Sequence, residues 1–368
     1  VLEDKNQVHY LEKQVARYNN LQLAKKVTLN SAYGALGNQY FRFFDIRIAE
    51  GITTAGQLSI RWIEKKINEY MNKLLKTDGE DYVIASDTDS LYICFDKLVR
   101  KVFNIRDDKY QYSEDEKQKI VKFLDKVASQ KIEPVIDKIY QDLADTMGAF
   151  QQKMNMKREV IADRGIWTAK KRYILNVHNS EGVQYAKPKK KVMGLEMIKS
   201  STPTACRDKL KEAVDVIFDK DESAVQEFIQ EFRAEFETLP LADISFPRGL
   251  NGLGKYSDRN TIYASGCPIH VRGGLVYNHF LRVHKLANKY PLINNGEKIK
   301  FIFLKEPNTV QSNVISFPQG GIPEELDLAK YIDYNTQFEK SFLDPLKIIL
   351  DSIKWKAEKT SSLEDFFS

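Results

Sequence analysis

Two short apolar runs separated by Asp-Thr-Asp constrain this chain more than any other feature. The stretch is Tyr82-Val83-Ile84-Ala85-Ser86-Asp87-Thr88-Asp89-Ser90-Leu91-Tyr92-Ile93, and it predicts a β-hairpin with two carboxylates near its tip. Carboxylates held that close repel unless something neutralises them, and a hard divalent cation is the usual answer. A rigid, oxygen-rich mount of this kind is what two-metal phosphoryl or nucleotidyl transfer requires. Asp and Ser are also ordinary turn residues, so the string alone equally describes a hairpin whose polar tip faces water.

Upstream, the segment from about Val8 to Leu36 predicts a long helix, with apolar Leu11, Val15, Tyr18, Leu21 and Leu23 between charges. Lys26, Asn30 and Tyr33 are spaced i, i+4, i+7, which places a cation, an amide and a phenol on one face. Such a face can hold a triphosphate and present a flat ring to a base pair. It also fits a solvated stripe on a helix that ends at Gly34 or Gly37.

Taken together, the Lys-x-x-x-Asn-Ser-x-Tyr-Gly helix and the Asp-Thr-Asp-Ser hairpin resemble the fingers and palm motifs of family B (Pol α-like) DNA polymerases. The whole chain resembles the C-terminal part of the T-even-type bacteriophage replicative members. Lys170-Lys171-Arg172-Tyr173 looks like the Lys-Lys-x-Tyr palm element that contacts primer-terminal DNA. Glu159 stands where the family carries an acidic residue close to the metal site. Lys191-Val192-Met193-Gly194-Leu195-Glu196 and Ser200-Ser201-Thr202-Pro203 look like the passage from palm to thumb, and Gly266 to Gly273 like a segment of the thumb.

Other parts of that pattern do not occur. The family carries its first metal-binding aspartate in an Asp-x-x-Ser-Leu-Tyr-Pro-Ser motif before the fingers, and neither that string nor the acidic exonuclease motifs are found here. The resemblance therefore implies a fragment or one product of a split polymerase, inactive alone.

Three cysteines, Cys94, Cys206 and Cys267, lie far apart with no Cys-x-x-Cys pair, which argues against a disulfide framework or zinc ribbon and fits a reducing setting. No apolar run is long enough to span a bilayer, and no signal-peptide pattern opens the chain. The formal net charge of +5 is uneven: from Gln151 to Leu210, 14 Lys and Arg face 5 Asp and Glu, a local +9 that leaves −4 elsewhere. A local basic zone is the footprint of a surface lying along phosphates, although Lys187-Pro188-Lys189-Lys190-Lys191 also reads as a solvated loop.

The remaining pattern predicts an α+β fold. A second long helix follows an irregular Phe41–Asp45, and its packing face includes Ile52, Leu58, Ile60, Ile63, Ile67 and Tyr70. Ser113 to Met147 is helical with a kink or break at Pro134. Strand-like alternation from Arg158 to Leu195 would complete an antiparallel palm sheet backed by helices. Beyond Thr202 the chain turns mostly helical, with candidates at Ala205–Phe218, Glu222–Thr238 and Leu326–Trp355 and a short strand at Ile299–Leu304. Gly249, Gly254 and Lys255 match a phosphate-cradling spacing, but Tyr256 stands where Ser or Thr is required, so a flexible loop near DNA is the better reading. By resemblance, residues 1–38 are the C-terminal helix of the fingers, 39–195 the palm, 196–358 the thumb and 359–368 a clamp-binding tail.

In that tail Leu363, Phe366 and Phe367 fall at i, i+3 and i+4 and form a compact plug on one turn of helix. The segment resembles a sliding-clamp-binding peptide with Thr360 in place of the usual glutamine; folding back onto the thumb is the alternative. The resemblance implies template-directed nucleotidyl transfer with two Mg2+ ions. Asp89 is the principal metal ligand and Asp87 supports it, with Lys26 on the triphosphate and Asn30 and Tyr33 at the nascent base pair. Lys171 and Tyr173 hold the primer strand beside Lys170 and Arg172. Implied partners are primer-template DNA, dNTP, an N-terminal polymerase and exonuclease portion and a sliding clamp, in the cytoplasm of an infected bacterial host and away from membranes. The alternatives are a non-catalytic DNA- and clamp-tethering subunit and a degenerate polymerase-like protein that binds DNA structurally.

Overall fold

With no proline and a single glycine near its end, the N-terminal segment forms one uninterrupted helix, α1 (Leu2–Leu36). The periodicity predicts a packing stripe, yet Val8, Leu11, Val15, Tyr18, Leu21, Val27 and Leu29 are all exposed. Apolar residues fall around the whole circumference rather than on one side, so no single stripe exists for α1 to bury. The computed structural model describes residues 2–107, 110 and 112–358, so the tail residues Leu363, Phe366 and Phe367 lie outside the described residues. The chain divides into two compact units, Val1–Ile161 and Ala162–Ser368, a boundary that falls inside the stretch expected as palm.

In the first unit, α2 (Ile46–Leu75) starts at Asp45, whose side chain accepts from the Arg47 amide and both of whose oxygens take the Arg47 guanidinium at 3.0 and 2.7 Å. That guanidinium holds the Asp45 carboxyl below its ordinary range. Helix α2 buries Ile63, Ile67, Met71 and Leu75 at steps of four. They pack with Tyr82, Val83, Ile132, Ile136, Ile139, Tyr140 and Leu98, the last from α3 (Asp96–Val102). The predicted hairpin is present as β1 (Val83–Asp87) and β2 (Ser90–Ile93), antiparallel, with Asp87 opposite Ser90 and an irregularity between Val83 and Ala85.

Helix α4 (Glu114–Val127) opens with a capping box between Ser113 and Glu116. It continues through a π-helical turn (Ala128–Ile132) into α5 (Glu133–Thr146), whose first turn holds Pro134. The predicted kink is thus a widened turn: proline lacks an N–H and crowds the carbonyl one turn back, and the i to i−5 bond from the Glu133 amide to the Ala128 carbonyl accommodates it. The same device recurs before Pro345.

The second unit carries a three-stranded meander, β3 (Val160–Ala169), β4 (Arg172–Ser180) and β5 (Val183–Met193), in that order. The hairpin and the meander were expected as one sheet; they are separate sheets. Local alternation predicts strands but not which edges meet. Beyond the meander run α6 (Thr204–Asp219), α7 (Glu222–Phe236), α8 (Leu241–Ile244) and β6 (Phe246–Gly249). The glycine passage is less of a loop than expected: Gly249 ends β6, Gly252 takes φ +86, and α9 (Leu253–Tyr256) follows, then the short pair β7 (Ser257–Asp258) and β8 (Ile262–Tyr263).

Helix α10 (Ile269–Val283) lies so close to β10 (Val314–Phe317) that a Cβ at Gly273 would sit 2.7 Å from the Ser316 amide nitrogen. Strand β9 (Lys298–Phe303) is central between β10 and β6. The chain then passes through α11 (Tyr334–Phe338) and a second π turn (Glu339–Leu343) to α12 (Asp344–Ser352). Phe232, Phe236, Phe338 and Phe342 interlock at the centre of this unit, with the Phe232 and Phe342 rings 4.7 Å apart.

His270, at the start of α10, is partly buried beside the guanidinium of Arg248, and burial first and that charge second push its pKa down. Its folded pKa lies below the unfolded value, so the folded chain is fully stabilised above about pH 6.5 and loses stability as pH falls through the folded value. Wild type should therefore unfold at lower urea at pH 5.5 than at pH 8, with a smaller gap in His270→Gln. An unchanged gap would remove His270 from this role.

Candidate active site

The hairpin is held mainly at its open end by one edge of α2. Asn68 accepts from the amides of Tyr82 (2.8 Å) and Val83 (3.1 Å) and donates to Asp81 (2.8 Å). One turn later Asn72 donates to the Glu80 carbonyl (2.8 Å) and accepts from its amide (3.1 Å). One turn earlier Glu64 accepts from the Ser86 hydroxyl at 3.5 Å. These positioning residues were not anticipated, although their spacing carries a signal: asparagine is a poor helix former, and two of them four apart inside a helix ask for a reason.

At the tip the chain turns within three residues. The Asp89 amide donates to the Asp87 carbonyl at 2.6 Å, and Thr88 between them has φ +52. That is a γ-type closure, strained for any residue and more so for a β-branched one. The Ser90 hydroxyl donates to the same carbonyl (3.1 Å) and the Thr88 hydroxyl to the Asp87 carboxylate (3.0 Å). Asp87 is half-buried; Asp89 is exposed, and its carboxylate makes no hydrogen bond or ion pair with another described residue. Beneath it the buried Tyr140 phenol is pushed up in pKa by burial and then by the Asp89 charge.

Two carboxylates on one rigid turn offer the hard oxygen donors that magnesium takes. Among the described residues no three His, Cys, Asp or Glu converge on a metal-sized site, so Glu159, exposed just ahead of β3, is not gathered into one cluster with Asp87 and Asp89. The donor set fits a magnesium site in part, with two ligands supplied here. Lys26, Asn30 and Tyr33 all lie exposed along α1, and none is hydrogen-bonded to the hairpin.

In the second unit Lys170 and Lys171 form the two-residue turn between β3 and β4, with Lys171 at φ +62. Both are exposed. Arg172 points elsewhere: its guanidinium donates to Glu196 at 2.6 Å, and Lys199 binds the same carboxylate at 3.0 Å. Tyr173, expected against the primer, is 7% exposed on the central strand, with its ring 6.4 Å from Trp167. The site residues of the two units thus fall into an acidic tip and a basic turn.

The family model for DNA polymerase family B matches residues 5–116. Over 367 residues, 97% of its length, the chain is 37% identical to the DNA-directed DNA polymerase of Enterobacteria phage T4, covering 40% of that protein. Over 359 residues, 94% of its length, it is 39% identical to the DNA-directed DNA polymerase of Escherichia phage RB69, covering 38% of it. The chain therefore spans about two fifths of the length of these relatives.

Proposed function

We propose that this chain, similar to DNA polymerase family B over residues 5–116 and to the T4 and RB69 polymerases along nearly all of its length, forms the end of the fingers, the palm and the thumb of a DNA-directed DNA polymerase. The observation that carries this reading is the tightly turned Asp87-Thr88-Asp89 tip, on a hairpin whose base is anchored by Asn68 and Asn72, inside the segment matched by the family. Bound there, two magnesium ions would stabilise the attacking and leaving oxygens of nucleotidyl transfer.

The chain's own residues have distinct parts in this reading. Asp89 presents an unengaged carboxylate, while Asp87 is oriented by the Thr88 hydroxyl and closes the turn. Lys26 carries positive charge to the triphosphate, and Asn30 and Tyr33 line the new base pair. Lys170 and Lys171 hold primer phosphates, and Tyr173 braces their turn from within the strand. A further aspartate comes from an N-terminal portion or partner chain.

Primer extension with magnesium tests the proposal. This chain mixed with the N-terminal portion of a related phage polymerase is expected to extend a primer, and neither piece alone should do so. Activity in the chain alone would mean that its own residues complete the metal site; none in the mixture would favour a tethering subunit.

The terminal Leu363, Phe366 and Phe367 are proposed to dock in a sliding clamp. Removing Leu363 to Ser368 should shorten clamp-dependent products without changing single-nucleotide incorporation, and loss of incorporation would refute that role.

A further inference from the structure

The basic run Lys187 to Lys191 is a strand, β5, at the edge of the meander, and the strand sorts its lysines. Lys190 turns inward: it donates to Asn176 at 3.0 Å, approaches Asp215 at 3.6 Å and lies over the Phe218 ring at 4.7 Å. Lys187 and Lys189 are exposed, and neither pairs with a carboxylate among the described residues. Lys189 rests over the Tyr185 ring at 4.4 Å, a contact that leaves ammonium protons available.

The end of this strand is fixed to the basic turn. Gly194, one residue beyond β5, has φ +67, and any Cβ there would collide with the Lys171 carbonyl oxygen. Pairing of Tyr173 with Met193 and of Leu175 with Lys191 continues that close fit into the strands. Lys170 and Lys171 in the turn and Lys189, paired with Val177, are therefore carried by one hairpin stack, and Lys187 follows in the stretch of β5 where the register with β4 shifts. Successive alternate residues on a strand stand about 6.7 Å apart.

We propose that Lys187 and Lys189 bind the phosphodiester backbone of nucleic acid, extending along β5 the track that begins at Lys170 and Lys171. This rests on the polymerase reading and adds to it a second set of phosphate contacts. Charge complementarity selects the occupant: unpaired lysines spaced along an open strand suit a polyanion with regularly repeated charges, and they would carry affinity without sequence choice.

The test is fluorescence anisotropy of a labelled primer-template duplex with the full chain, at several salt concentrations. Each phosphate contact contributes about −0.9 to the slope of log affinity against log salt. The double variant Lys187→Gln/Lys189→Gln should flatten that slope by about two, whereas Lys187→Arg/Lys189→Arg should keep it. Unchanged slope in the Gln variant, with wild type binding well, would overturn the proposal; the lysines would then serve only to keep a bare edge strand from self-pairing, visible as increased light scattering. If wild type and a Lys170→Gln/Lys171→Gln control bind duplex equally poorly, the polymerase reading itself falls.

Discussion

Replacing Asp89 by alanine is expected to abolish primer extension by the reconstituted enzyme, a loss of about a thousandfold or more, equivalent to roughly 4 kcal/mol of transition-state stabilisation. The physical ground is the tip geometry. Asp89 is exposed, and its carboxylate bonds to no other described residue. Truncation therefore removes no internal contact, and the change in folding stability should stay within about 0.5 kcal/mol. What is lost is a negative oxygen ligand mounted on a strained three-residue turn. Single-turnover extension, read beside an unchanged urea midpoint and unchanged duplex binding, separates the two effects. Residual synthesis within tenfold of wild type would move the catalytic role away from Asp89.

The largest effect on stability is expected from Phe342→Ala. Phe342 is fully buried and meets Phe232 edge-on at 4.7 Å and Phe338 at 5.3 Å. Those rings in turn hold Phe236, so removing one leaves a void bordered by large side chains that cannot all collapse into it. Burial and cavity effects together predict a cost of about 3–5 kcal/mol, or a fall in melting temperature of roughly 6–20 °C for a unit of this size. Differential scanning calorimetry measures it directly. A shift under about 2 °C would mean that this cluster is less tightly packed than its geometry indicates.

The sequence made some of this legible for identifiable reasons. Apolar alternation on both sides of Asp87-Thr88-Asp89 specifies a hairpin, and residues four apart on α1 share a face whatever surrounds them. The buried stripe of α2 followed only in part: Ile63 and Ile67 are buried as expected, whereas Ile52 and Leu58, expected on the same packing face, are exposed. Sheet membership did not follow: Tyr173 sits in Lys-Lys-x-Tyr like a surface residue, but β4 is the central strand of its sheet and is buried through Asn179. Strand order depends on distant pairing, which no local pattern encodes. Thr88 is a further case, because a β-branched residue is a poor choice for positive φ and would not be selected by turn chemistry. The asparagine clamp of α2 was legible in principle, since Asn68 and Asn72 break helix propensity at a fixed spacing. The Lys187–Lys191 run was ambiguous until pairing showed which lysine turns inward.

The π turn before Pro134 has a bearing on how the molecule can vary in length. Buried residues there fall at Ala128, Ile132, Ile136 and Tyr140, steps of four that overshoot an α-helical turn by about 40° each. The extra residue in the widened turn takes up about 100° and keeps all four on the core side. Deleting one residue between Ala128 and Ile132 would restore a plain α-helix and leave Ile136, Ile139 and Tyr140 on the core side, because the widened turn has already absorbed the roughly 100° that the lost residue would have contributed. The irregular turn is therefore a phase correction that holds one surplus residue, and it makes this short passage the place where the helix can lose a residue without turning its buried face away from the core.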